Sequence, residues 1–159
     1  MMISKYMSFQ EATKSPTALR LGIDNSPTPE HLENMKYVDT EIFDKAREFV
    51  GGPVAATSFY RSKALNDVVP GSSKTSQHMV GQAIDIDADV YQGKSNLEIF
   101  HFINSNLVFD QLIAEYPNVL GSPSWVHVSK KMVGINRLEV LVKLKDRYTP
   151  FSKYTVGMV

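Results

Sequence analysis

A single domain that mixes helices with strands is what this 159-residue chain predicts, on three observations. Two stretches, 28–49 and 95–107, carry apolar residues at the three- and four-residue spacing of helices. Five others, 54–58, 82–88, 109–115, 125–129 and 138–144, are short, rich in β-branched residues and bounded by turn residues, as strands are. A chain of this length also buries a core without covalent staples, which suits one that has no cysteine.

Taken in order, residues 1–27 read as an N-terminal arm packed over the domain, with a short helix from Glu11 to Leu21 ended by the turn residues from Gly22 to Pro27. Thr28-Pro29-Glu30 has the N-cap, first-turn proline and acidic residue that start a helix. Leu32, Met35, Val38, Ile42, Ala46 and Phe49 continue it, and Gly51-Gly52-Pro53 stops it. Val54 to Ser58 is a strand leading to Arg61, and Ser62 to Asn66 is a helical turn. In 82–88, Ala83, Asp85 and Asp87 share one face while Ile84 and Ile86 share the other. Ser95 and Glu98 make a capping box ahead of Ile99, Phe100, Ile103 and Leu107. The runs 109–115 and 125–129 are expected to pair as an antiparallel hairpin with a long loop. His31, in the first turn of its helix, reads as a solvated or capping histidine, and His101 falls off the apolar stripe and reads as a surface residue. The residues from Lys145 onward are aromatic and basic, without a legible chemistry.

Composition excludes several functions. Lys plus Arg balance Asp plus Glu at 17 each, which argues against a broad nucleic-acid or membrane surface. No apolar run is long enough to span a bilayer, and Met1 to Arg20 lacks the apolar core of a signal peptide. The expectation is therefore a protein made in a cytoplasm, with neither nucleic acid nor membrane as a partner; a monomer is expected alongside. Without cysteine, any metal must be held by histidine and carboxylate, which favours a catalytic site over a structural one.

The chain carries such a set. His78 and Asp85 lie seven residues apart with Gly81 between them, and His127 follows on a second strand. A strand does not bury acids without a partner. A half-exposed edge strand would explain Asp85 and Asp87 but not the neighbouring His78. Two imidazoles, one carboxylate and a water make a four-coordinate zinc site with an open position. Such a site lowers the pKa of its water to around 7. A hydrolase also needs a carboxylate to move the proton. Glu115 is the first candidate because the hairpin brings it toward His127, and Asp87 is its rival. Arg61, at a strand end, can hold an oxyanion or a substrate carboxylate.

The string Ser76-x-His78-x-x-Gly81-x-Ala83-x-Asp85, followed by Trp125-Val126-His127-Val128, resembles the zinc D-Ala-D-Ala metallopeptidases, peptidoglycan peptidases that share a fold with hedgehog-type domains. The likeness extends to Ser58-Phe59-Tyr60-Arg61-Ser62, Asp110 to Glu115 and Thr17 to Asn25, and is closest to the small phage-associated branch. It implies an α+β domain with an antiparallel sheet flanked by helices and carrying the ligands in a cleft. It further implies one Zn2+ on His78, Asp85 and His127, with Arg61 holding substrate and Ser76 bonded to it. The expected substrate is the stem peptide of peptidoglycan, met in the cell wall after release or from a virion. Many members place the catalytic carboxylate three residues before the last histidine, where this chain has Ser124. Either Glu115 takes that role, or the domain is a weak or inactive zinc- and wall-binding module.

Overall fold

The computed structural model describes residues 1–158. Its centre is a six-stranded sheet of β1 (Ala55–Ser58), β2 (Ala83–Asp87), β3 (Gln111–Glu115), β4 (Trp125–Ser129), β5 (Glu139–Lys143) and β6 (Tyr148–Pro150) in the order β1-β2-β4-β3-β5-β6. Together with the flanking helices it makes one small α+β domain. Every neighbouring pair is antiparallel except β3 with β5, which is parallel. No helical crossover is needed for that pair, because β4 has already returned the chain to the end of the sheet where β3 starts. The 109–115 and 125–129 runs do form an antiparallel pair, Gln111 facing Ser129 and Glu115 facing Trp125.

Side-chain alternation divides the sheet into two chemistries. Ile84 and Ile86 of β2, Leu112 and Ala114 of β3, Val126 and Val128 of β4 and Val142 of β5 point into the core. Asp85, Ile113, Glu115, Trp125, His127, Leu141 and Lys143, the intervening residues, line a cleft on the other face. Covering the core face are α3 (Pro29–Val38) and α4 (Asp44–Val50), joined without a break by a π-helical turn over Asp39–Phe43, and α6 (Asn96–Asn106). Met35, Val38, Ile42, Phe43 and Ala46 are all fully buried, so the wide turn keeps both Ile42 and Phe43 on the core side. The capping box of α6 is present, with the Glu98 carboxylate accepting from Ser95 N at 2.8 Å. Among the described residues no helix is long and apolar enough to cross a membrane.

Residues 1–27 pack on this body through Ile3, Met7 and Ala12, which join the core. The single helix expected from Glu11 to Leu21 is instead two, α1 (Phe9–Thr13) and α2 (Pro16–Leu21). Pro16 is the reason. Its ring cannot continue a helix, so Ser15 caps a new one, its Oγ accepting from Ala18 N at 3.1 Å. The arm is tied to the segment carrying Arg61. Tyr60 N donates to Ala12 O at 3.1 Å. Asn25 donates to Thr13 O and Tyr60 O and accepts from Ser62 N at 2.7 Å. Ser62 then caps α5 (Lys63–Val68), accepting from Leu65 N.

Candidate active site

Local rules of the chain set each of the three clustered side chains. His78 sits in a short 3-10 turn, Gln77–Val80, capped by Ser76 and ended by Gly81 at φ 72°. A Cβ on Gly81 would stand 2.5 Å from His31 O and 2.7 Å from Met35 Cγ, so both backbone angle and space demand glycine. Gly81→Ala is therefore expected to lower stability by about 1–3 kcal/mol, seen as a drop in the denaturation midpoint. An unchanged midpoint would contradict this. Asp85 and His127 are direct cross-strand partners in β2 and β4, which sets both side chains on the cleft face.

The His78 ring is buried, and its Nδ1 lies 2.6 Å from Phe59 O. A carbonyl only accepts, so Nδ1 carries the proton and Nε2 presents a lone pair. That Nε2 is buried without a hydrogen-bond partner and faces Asp85 Oδ1 at 3.3 Å. His127 Nδ1 lies 2.9 Å from the same oxygen, and one ligand atom from each residue falls within 4.8 Å of the others. Burial pushes His78 toward its neutral form. Burial would also raise Asp85, but the two imidazoles outweigh it and hold the carboxyl below the usual carboxylate range. Two ligands each about 2.0–2.2 Å from one zinc, at the tetrahedral angle, stand about 3.3–3.6 Å apart. Two lone-pair donors converging at 3.3 Å without a proton between them thus fit a shared cation. No other group of three His, Cys, Asp or Glu side chains comes together in this way among the described residues.

Around the three lies a cleft of about 1010 Å³. Arg61 reaches it with Nη2 donating to Ser76 Oγ at 3.4 Å and its backbone N donating to His78 O at 3.2 Å. Its Nε is buried with no partner. Glu115 stands on the same floor, only 9 % exposed. Burial pushes its carboxyl up to about 7, opposed by His127 and Lys143 and reinforced by Asp85. Asp87, the rival carboxylate, is engaged elsewhere. It accepts from Asn96 Nδ2 and from Asp89 N, each at 3.0 Å, in the loop that leads to α6. Ser124 is a turn residue whose Oγ donates to Tyr116 O at 2.9 Å. His31 pairs with Tyr60 Oη at 3.2 Å, and His101 packs against Phe100 and Phe151.

Sequence reasoning missed Asp110. Fully buried, its carboxylate accepts from Arg137 Nε, Nη2 and N at 3.0, 2.7 and 3.1 Å, and from Gln77 Nε2 at 3.1 Å. Lys131 Nζ lies 3.2 Å away. Burial would push it up, but Arg137 and Lys131 hold it at about 2. The network fixes the residue just before His78 to the start of β3. Its partners lie far apart in sequence, and no local pattern announces them. Asp110→Asn is expected to cost about 1–3 kcal/mol at neutral pH, because a charged acceptor of several donors is lost. Because the native carboxyl is depressed, this contribution is present above the ordinary carboxylate pKa and fades as pH falls toward about 2. Equal denaturant midpoints for both proteins at neutral pH would refute it.

The model of the Peptidase M15 family matches residues 5–129. No match to a curated protein was found. One similar solved structure is entitled "Structure of the LdcB LD-carboxypeptidase reveals the molecular basis of peptidoglycan recognition"; it is 19 % identical, with a TM-score of 0.37, over 67 % of this chain and 60 % of that one. The chain thus spans less than two thirds of that relative's length. The matched family segment runs from the N-terminal arm to the end of β4 and takes in Arg61, His78, Asp85, Glu115 and His127. On that match, the chain belongs to the Peptidase M15 family.

Proposed function

We propose that the protein is a zinc-dependent peptidase hydrolysing peptide bonds of bacterial peptidoglycan, in the manner of a phage endolysin or virion-borne wall enzyme. The observation that carries the metal reading is the His78 Nε2 lone pair, buried and unpartnered 3.3 Å from Asp85 Oδ1 while Nδ1 is committed to Phe59 O. Family membership supports peptide hydrolysis. The likeness of the His78, Asp85 and His127 motifs to the D-Ala-D-Ala peptidases supports the wall substrate.

In this reading His78, Asp85 and His127 hold the ion. Zinc, when bound there, supplies Lewis-acid activation of a water and of the scissile carbonyl. Phe59 O orients the His78 ring, as outer-shell acceptors do for ligating histidines. Glu115 takes a proton from the attacking water and passes it to the leaving amine. A carboxyl poised at about 7 is matched to both directions of that transfer. Arg61, with Nε unused and Nη2 steadied by Ser76, binds a substrate carboxylate or the oxyanion.

Ser124 in the position of many relatives' catalytic carboxylate favours a second reading, a domain that binds zinc and wall but cleaves weakly. Digesting purified muropeptides with the zinc-loaded protein and weighing the products separates the two. New amine and carboxyl termini support the peptidase and identify the bond. Intact muropeptides with stoichiometric zinc support the binding module.

A further inference from the structure

Beyond Ser129, where the family match ends, β5 and β6 complete the cleft. Glu115 faces Trp125 across β3 and β4 and Lys143 across β3 and β5, and Lys143 faces Tyr148 across β5 and β6. All four residues line the cleft. Lys143 therefore stands two strands from His127, on the side away from β1 and Arg61. His127 is in register with Ile113 and Leu141, so Lys143 is also two residues further along its strand. At about 4.8 Å per strand and about 3.3 Å per residue the separation is about 12 Å, three to four residues of an extended peptide.

Its ammonium lies 4.2 Å from the centroid of the Tyr148 ring. Lys131 and Arg137, on the same cleft, are both held by Asp110. Lys143 has no ion pair among the described residues, and even its register partner Glu115 makes none with it. An ammonium on a cleft wall, backed by an aromatic ring and in direct contact with no carboxylate, has donors left to receive an anion, although Glu115 beside it shares its field.

We propose that Lys143, seated against Tyr148, forms a carboxylate subsite on the β5 side of the metal-ligating residues, opposite Arg61. The inference rests on the peptidase reading above. It specifies the substrate as a peptide with a free carboxylate about three to four residues from the scissile carbonyl, on the side away from Arg61.

Trp125, the single tryptophan, lines the cleft and reports binding by its fluorescence. Two peptides differing only in that carboxylate, free acid against primary amide, are titrated into the metal-free protein, and kcat/KM for each is measured on the zinc-loaded protein. Wild type is expected to bind the acid about tenfold more tightly than the amide, the worth of one charge-assisted contact. Lys143→Met should bring that ratio close to one, and Lys143→Arg should restore it. An equal ratio in wild type and Lys143→Met overturns the subsite. So does a loss that is the same for acid and amide, because Lys143 would then act only through Glu115. Cleavage without acid preference leaves the peptidase reading standing and the subsite refuted. Acid-selective binding without cleavage does the reverse.

Discussion

Glu115→Gln is expected to keep the metal and lose about 10²- to 10⁴-fold in kcat, the usual worth of a positioned proton carrier. The substitution preserves size and removes only the ionisable oxygen, so the fold has no reason to change. Stability gives a second readout that a merely structural glutamate would not move in the same direction. Burial raises the Glu115 carboxyl to about 7 in the native state, so the native protein holds this proton more tightly than the unfolded chain does. Stability must then fall as pH rises from the ordinary glutamate value toward about 7. Glutamine escapes that cost. In the metal-free protein at neutral pH, Glu115→Gln should be more stable by about 1–3 kcal/mol, because each tenfold gain in proton affinity is worth about 1.4 kcal/mol. A variant that is both active and less stable would remove Glu115 from the chemistry. Asp87→Asn, by contrast, should retain most activity, since Asp87 is spent on Asn96 and Asp89. A large loss there would transfer the role.

His78→Ala and His127→Ala are each expected to abolish metal retention. On the proposed ligand set, a site cut from three protein ligands to two would lose most of its affinity, because the fold must hold every deprotonated donor in place. The unfolding transition of each metal-free variant is measured alongside, so that lost metal is not confused with lost fold. His78 is fully buried and bonded to Phe59 O, so its loss also leaves a cavity and an orphaned carbonyl. His127 is less buried, but its Nδ1 lies 2.9 Å from Asp85 Oδ1, so its loss leaves that carboxylate one partner short and should cost about 1–3 kcal/mol in the metal-free protein. After dialysis, elemental analysis should find about one zinc per wild-type chain and close to none in either variant. Added zinc should raise the wild-type unfolding midpoint, by about 2.7 kcal/mol in stability at a hundredfold excess over Kd, and neither variant's. Full occupancy in either variant would contradict the assignment of ligands.

Much of this was legible because the signals were local. The alternation in 82–88 placed Asp85 opposite Ile84 and Ile86, and the structure keeps that division. The hairpin expectation brought Glu115 to the strand that carries His127. Gly81 stands in the sequence as a spacer between His78 and Asp85, but its necessity comes from His31 O and Met35 in a distant helix, which no local pattern shows. The helix from Glu11 to Leu21 failed because Pro16 outweighed the apolar spacing. The parallel β3–β5 pair, the Asp110 network and the cleft wall of Lys143 and Tyr148 depend on which strands neighbour one another, and strand order is a tertiary fact.

Anomalous diffraction at the zinc edge, from a crystal grown with zinc, locates the ion against the three side chains proposed to hold it. One peak is expected, about 2.0–2.2 Å from His78 Nε2, His127 Nδ1 and an Asp85 oxygen. No peak there, or an ion held by other residues while these three bond only to one another, would contradict it.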